Sequence, residues 1–160
     1  MSHDKIDGID LQLLELLQTQ GRTKRNELAE KVNLSLPAVS ERLRRLEEHG
    51  VIRGFAAVVQ PQRVGLDITA FIFVSVESSS YYDGFIKRAA KVDEIQECHA
   101  ITGEGSHLLK VRTQNTSTLE KLLSTVQAWP GVKNTKTCLV LSTSKETTAV
   151  PLIQMKNHQG

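Results

Sequence analysis

The apolar residues of this chain keep one spacing up to Leu46 and a different one from Ile68 onward, so neither an all-helical nor an all-strand fold can accommodate it. Leu11, Leu14 and Leu17, with Leu13 and Leu16 beside them, recur at the three-to-four-residue interval that aligns side chains on one face of a helix. Ile68-Thr69-Ala70-Phe71-Ile72-Phe73-Val74-Ser75-Val76 alternates imperfectly and is rich in β-branched and aromatic residues, as a strand is. The break between the two regimes falls near Pro61.

The first regime predicts three short helices. Asp10 is expected to cap the first, which Gly21 ends. Leu28, Ala29 and Val32 mark a second, from about Asn26, with Thr23 before it as a cap, and Asn33-Leu34 makes a tight turn. Ser35 then caps a third helix with Pro37 in its first turn, where a missing N–H costs little, and with a core stripe of Leu36, Val39, Leu43 and Leu46. Gly50 stops it, and the run from Val51 to Val59 reads as two short β segments bent at Gly54. Three helices, a tight turn between the second and third, and a following hairpin describe a winged helix-turn-helix.

Charge supports that reading through its distribution, because the formal net charge is only +2. Four acids stand against Lys5 alone in residues 1–20, whereas nine lysines and arginines face five acids between Gly21 and Arg63. A locally basic segment in a balanced chain suits a phosphate-facing surface. On the third helix, the side opposite Val39 and Leu43 carries Pro37, Ala38, Glu41, Arg44, Arg45 and Glu48. Small residues at its start let a helix enter the major groove, a carboxylate accepts from cytosine, and arginines reach guanine edges or phosphates. Ser35, Pro37, Ala38, Glu41, Arg42, Arg44 and Arg45 are the expected DNA-binding residues. The competing reading is a solvated face whose Glu and Arg pair with one another.

The second regime predicts the strand 68–76, a helix from Tyr81 to Lys91, strands from Ile95 to Thr102 and Leu108 to Arg112, a helix from Ser117 to Ala128 with Ser117 and Glu120 as a capping box, and a last strand from Val132 to Leu141. The order β-α-β-β-α-β is that of a ferredoxin-like sandwich, so the fold class is α+β. Two helices cover one face of its four-stranded sheet. The other face, carrying apolar residues such as Phe71, needs a second copy to cover it. The expected domains are 1–60, a linker 61–67, 68–152, and a flexible tail 153–160.

Several chemistries are disfavoured. Two cysteines, Cys98 and Cys138, are too few and too far apart for a disulfide framework or a four-ligand zinc site. Cys98 and His99 are strand neighbours pointing to opposite faces, which argues against a metal. Gly103-Glu104-Gly105-Ser106-His107 precedes a strand and lacks the lysine of a P-loop. There is no nucleophile elbow or zinc-protease helix, so no enzymatic activity and no cofactor are expected. No apolar run reaches about 18 residues and the start lacks a signal-peptide pattern, so a cytoplasmic location without membrane contact is expected.

These features together resemble the leucine-responsive, or feast/famine (Lrp/AsnC), family of transcription regulators. The resemblance runs from about Ile6 to Leu152. It is carried by Ile6-Asp7 with Asp10 and Leu13-Leu14, by Gly21-Arg22 with Glu27-Leu28, and by Val39 with Glu41-Arg42 and Arg44-Arg45-Leu46-Glu47. Glu94 to His99, Gly103, Leu108-Leu109-Lys110 and Pro130-Gly131-Val132 carry it further. It implies a homodimer with paired DNA-binding domains, assembling to an octamer around sandwiches that bind an amino-acid effector against the loop joining the second and third strands. Here the implied effector residues are Gly103, Glu104, Gly105, Ser106 and His107, with Thr135 and Thr137 from the last strand. The chain departs from the usual loop, in which an acid, an aromatic and a second acid stand where Glu104, Gly105 and Ser106 stand here. Two other functions stay open: an architectural protein that wraps DNA without an effector, and an amino-acid-binding module without DNA.

Overall fold

Asp7, rather than Asp10, caps the first helix. Its Oδ1 accepts from the N–H groups of Ile9 and Asp10, both at 2.9 Å. Asp10, three residues on, returns the bond by accepting the Asp7 N–H at 3.1 Å. Two carboxylates at a helix N-terminus also complement its dipole. The helix, α1, spans Gly8–Thr19 and ends before Gly21, with Gln20 as its C-cap.

The computed structural model describes residues 6–152. The tail 153–160, expected to be flexible, lies outside the described residues. The chain forms two units, one made of the residues up to Val58 and those from Lys145 on, the other of Val59–Ser144. The second domain expected to run to 152 thus gives up its last residues to the first unit. There the Gln18 amide grips the backbone of Val150, Nε2 donating to its carbonyl at 3.1 Å and Oε1 accepting its N–H at 2.6 Å, and Leu152 packs against the helical core.

In the first unit, α2 (Arg25–Val32) starts at Lys24 without a side-chain cap. Thr23, the expected cap, donates instead to the Gln20 carbonyl at 2.8 Å and so belongs to the turn. Asn33 takes the left-handed conformation, φ 55°, and reverses the chain. Ser35 then caps α3 (Leu36–Glu48), accepting from the Ala38 N–H at 3.3 Å, with Pro37 in the first turn. Leu13, Leu28, Val39, Leu43 and Leu46 close one core. Leu36, expected in that stripe, is 48% exposed because the cluster burying Val39 does not extend to the helix's first residue.

The wing differs from expectation. Val51 to Val59 holds no strand, since none of its residues joins a ladder among those described. Phe55, Val58 and Val59 are exposed, and β-branched side chains alone do not make a strand without a neighbour to accept its backbone bonds.

The second unit is the expected βαββαβ arrangement: β1 (Ile68–Val76), α4 (Tyr82–Ala89), β2 (Ile95–Ala100), β3 (His107–Thr113), α5 (Thr116–Gln127) and β4 (Val132–Leu139). All pairings are antiparallel, in the spatial order β2-β3-β1-β4. Asn115 caps α5, with Thr118 reaching back to its N–H; this displaces the predicted Ser117/Glu120 box by two residues. Ala70, Ile72, Val74, Leu109 and Val111 meet Phe85, Ala89, Leu119, Leu122 and Val126 in the core. By strand alternation, Phe71, Phe73 and Leu108 point to the opposite face, where they are only partly buried.

Candidate nucleic-acid interface and effector loop

The three arginines of α3 have three different surroundings. Arg42 faces inward: one nitrogen, Nη1, donates to Asp7 Oδ2 at 2.7 Å and to Asp10 Oδ1 at 2.8 Å. Asp10 is buried, so Arg42 ties α3 to the cap of α1 and is placed as an anchor of the helix. Arg45 lies alongside, its Nη2 at 3.7 Å from Asp10 Oδ2. Arg44 alone stands fully on the outer face, together with Pro37 and Glu41. It donates from Nε and Nη2 to the two Glu41 oxygens at 2.9 and 2.6 Å, and from Nη1 to Glu48. The bonds from Arg44 hold the Glu41 carboxyl below its ordinary pKa, and the two acids raise the Arg44 guanidinium above its own. The Glu–Arg pairing weighed from sequence is therefore present on the same face that carries the candidate base-reading groups. Arg25, at the start of α2, adjoins it across a shallow groove that Ser40 also lines; neither residue stood out by helical spacing alone.

The loop between β2 and β3 is built from backbone necessity. Gly105 has φ 88°, and a Cβ there would lie 2.8 Å from the Val74 carbonyl oxygen, so glycine is required twice over. The bond from the Ser106 N–H to that same carbonyl, at 2.9 Å, holds the loop against β1. The Ser106 hydroxyl donates to Val74 O at 3.2 Å and accepts the Val76 N–H at 3.1 Å. Its one proton is thus used, which leaves His107 Nδ1, 3.0 Å away, to be the donor of that pair. His107 is buried against Tyr82 and Phe85, with ring centroids 4.7 and 4.8 Å away, and its Nε2 has no partner among the described residues. Burial pushes its pKa down.

Glu104, the loop's carboxylate, is held by Lys136 Nζ at 2.8 Å. Lys136 sits between Thr135 and Thr137 on β4 and was not picked out from sequence. Thr135 accepts from Gln127 Nε2 at 2.8 Å and lies in register with Val74, which in turn pairs with His107. Thr137 lies two residues further along, opposite Ile72. Gly103 has φ 96° with open space around it. The loop and β4 thus meet through Glu104 and Lys136, while Ser106 and His107 turn toward β1 and α4.

Comparison with known proteins covers both units. A profile described as a winged helix-turn-helix DNA-binding domain matches residues 6–53, and one described as the Lrp/AsnC ligand binding domain matches residues 69–150. The HTH-type transcriptional regulator FL11 of Pyrococcus abyssi is 35% identical over 147 residues, covering 92% of this chain and 97% of its own. The leucine-responsive regulatory protein of Escherichia coli is 35% identical over 144 residues, 88% of each chain. The crystal structure of the regulator NMB0573 from Neisseria meningitidis, in complex with L-methionine, superposes with a TM-score of 0.87 at 33% identity, covering 93% of this chain and 98% of that one.

Proposed function

Given that this chain belongs to the Lrp/AsnC family of DNA-binding transcriptional regulators, we propose that it reads duplex DNA with the outer face of α3 and that an amino acid bound at the β2–β3 loop changes its assembly. The observation that carries the first part is the presentation of Pro37, Ala38, Glu41 and Arg44 on a capped helix whose other side is locked to α1 by Arg42 and Asp10. Ser35 sets the start of that helix, Arg45 flanks the reading face, and Arg42 holds the helix in place. It acts as a regulator, as its relatives are named, rather than as an enzyme, needs no cofactor, and works in the cytoplasm where the chromosome is. No described helix is long and apolar enough to cross a membrane.

A second copy covers the sheet face bearing Phe71, Phe73 and Leu108, giving a homodimer that associates further to an octamer. The effector is a small amino acid whose ammonium group meets Glu104, with Gly103, Gly105, Ser106, His107, Thr135 and Thr137 shaping the surroundings. Two observations favour a second reading, regulation without an effector: Glu104 is already paired with Lys136, and Ser106 is committed to the β1 backbone.

The deciding experiment is selection of duplexes from a random-sequence library by the full chain, followed by footprinting on the enriched sequence. A shared protected sequence supports the reading, and retention of duplexes with no common sequence overturns it in favour of an architectural protein. Calorimetry with L-methionine, leucine and lysine separates the effector readings, with absence of heat at millimolar ligand supporting the effector-independent one.

A further inference from the structure

The outer face of α3 is not cationic. Glu41, Glu47 and Glu48 surround the groove in front of it, against Arg25 and Arg44, and Arg44 is bound to two of those carboxylates. The three acids there oppose the approach of phosphates, and Arg44, the cation that α3 itself contributes to the groove, is already engaged, which leaves Arg25 across it.

We infer that Glu41, Arg44 and Glu48 form a specificity gate, in which the two acids withhold Arg44 from random DNA and release it only where Glu41 finds a cytosine amino group. This rests on the reading that α3 enters the major groove. Glu41 and Arg44 are three residues apart, an axial rise of about 4.5 Å on a helix, close to the ~3.4 Å spacing of stacked bases. A helix lying along the groove therefore sets them against neighbouring base pairs. Cytosine N4 donates to a carboxylate, and guanine O6 and N7 accept two bonds from a guanidinium. A site offering cytosine to Glu41 and guanine at the next pair replaces each of the Glu41–Arg44 bonds with a bond to a base. A site lacking them leaves Arg44 held by its two carboxylates, so no cation is released toward the phosphates and no bond to a base replaces the pairing. Glu41 thus acts by attraction at the right step and by withholding Arg44 elsewhere, as discrimination between partners requires. Glu48 contributes only the second effect, because its role is to hold Arg44.

The two acids make separable predictions. Affinity is measured by fluorescence anisotropy across a salt series, on the duplex enriched by the wild-type chain and on a shuffled duplex of the same composition. Glu41→Ala is expected to bind the shuffled duplex several-fold tighter, to steepen the logarithmic salt slope by about one as Arg44 moves to a phosphate, and to lose about tenfold discrimination at one C·G pair. Glu48→Gln is expected to tighten shuffled binding similarly while keeping that discrimination. Both residues are exposed, so thermal melting should be nearly unchanged; if Glu41→Ala nevertheless fails to fold, Glu48→Gln carries the test through its shuffled-duplex affinity. Unchanged shuffled-duplex affinity in the folded variants overturns the gate while leaving DNA reading by α3 intact. Equal loss of discrimination in both variants overturns it as well. If the wild-type chain enriches no sequence, the gate and the reading beneath it fall together.

Discussion

Arg42 and Asp10 are joined at 2.8 Å across two helices, and the aspartate is only 1% exposed. Asp10 is at once the third residue of its own helix, the return arm of the Asp7 cap, and the anchor of α3. Removing the guanidinium leaves that carboxylate buried beside a second arginine that stands 3.7 Å away. Arg42→Ala is expected to destabilise the helical unit by about 3 kcal/mol, as loss of one partner of a buried pair does. Urea denaturation followed by far-ultraviolet circular dichroism would show a lowered midpoint, and an unchanged midpoint would show Arg42 to be a surface residue.

Asp7 makes the same unit acid-sensitive. Burial works against its ionisation, but the N–H groups of Asp10 and Ile9 and the Arg42 guanidinium outweigh it and hold the carboxyl below the usual 3.8. A depressed carboxylate contributes stability that is present above its unfolded value and lost as pH falls through the folded one. Helical stability is therefore expected to decline as pH drops below about 4. Asp7→Asn, which keeps a capping oxygen, should flatten that decline in a pH series of melts.

The sheet unit titrates in another window. His107 is buried among Tyr82, Phe85 and Val74, and burial lowers its pKa from 6.5. The unfolded chain then takes up a proton before the folded one, so stability falls as pH decreases below 6.5 and through the lower folded value. Trp129 is the single tryptophan and packs on Phe85 at 5.4 Å, so its fluorescence follows this unit. His107→Phe is expected to abolish the dependence near neutral pH, and persistence of the dependence in that variant would assign it elsewhere.

Gly105 and Gly103 separate close approach from backbone conformation. Both have positive φ, but only Gly105 would bring a Cβ against the Val74 carbonyl. Gly103→Ala is expected to cost about 1 kcal/mol, and Gly105→Ala about 3 kcal/mol together with loss of the Ser106 bonds to β1. Comparable melting temperatures for the two variants would contradict this difference.

Lys136 competes for the carboxylate proposed to receive an effector's ammonium. Lys136→Ala should strengthen L-methionine binding a few-fold in calorimetry, whereas Glu104→Ala should remove it. Weaker binding in Lys136→Ala would mean that the lysine itself contacts the ligand.

What could be read from the chain follows from how local each interaction is. Ser35, Pro37 and the stripe from Val39 to Leu46 are neighbours along one helix, so periodicity and cap chemistry located the start and the buried face of α3, though not its last residue. Asp7 and Asp10 are both good caps three positions apart, and spacing alone does not choose between them; both also bond Arg42, more than thirty residues away, a contact with no local signature. Arg42, expected among the DNA-binding residues, lies three after Val39 and four before Leu46, on the margin of the core face, and there it bonds Asp7 and Asp10. The pairing of Glu104 with Lys136 spans 32 residues and leaves no local signature. Residues 51–59 have strand-like side chains, yet strand formation depends on a partner backbone that sequence patterning does not supply.

The grip of Gln18 on Val150 spans 132 residues and fixes an order of events during synthesis. The segment carrying α3 leaves the ribosome first, but the residues that complete its unit are translated only after the whole sheet domain. A nascent chain therefore exposes a reading helix whose scaffold still lacks Leu152 and the Val150 clasp. Domains emerging in sequence would ordinarily finish folding in that sequence. Here the part first made is the last to be finished, and a prematurely terminated product would carry an incomplete DNA-binding unit, however well its sheet had folded.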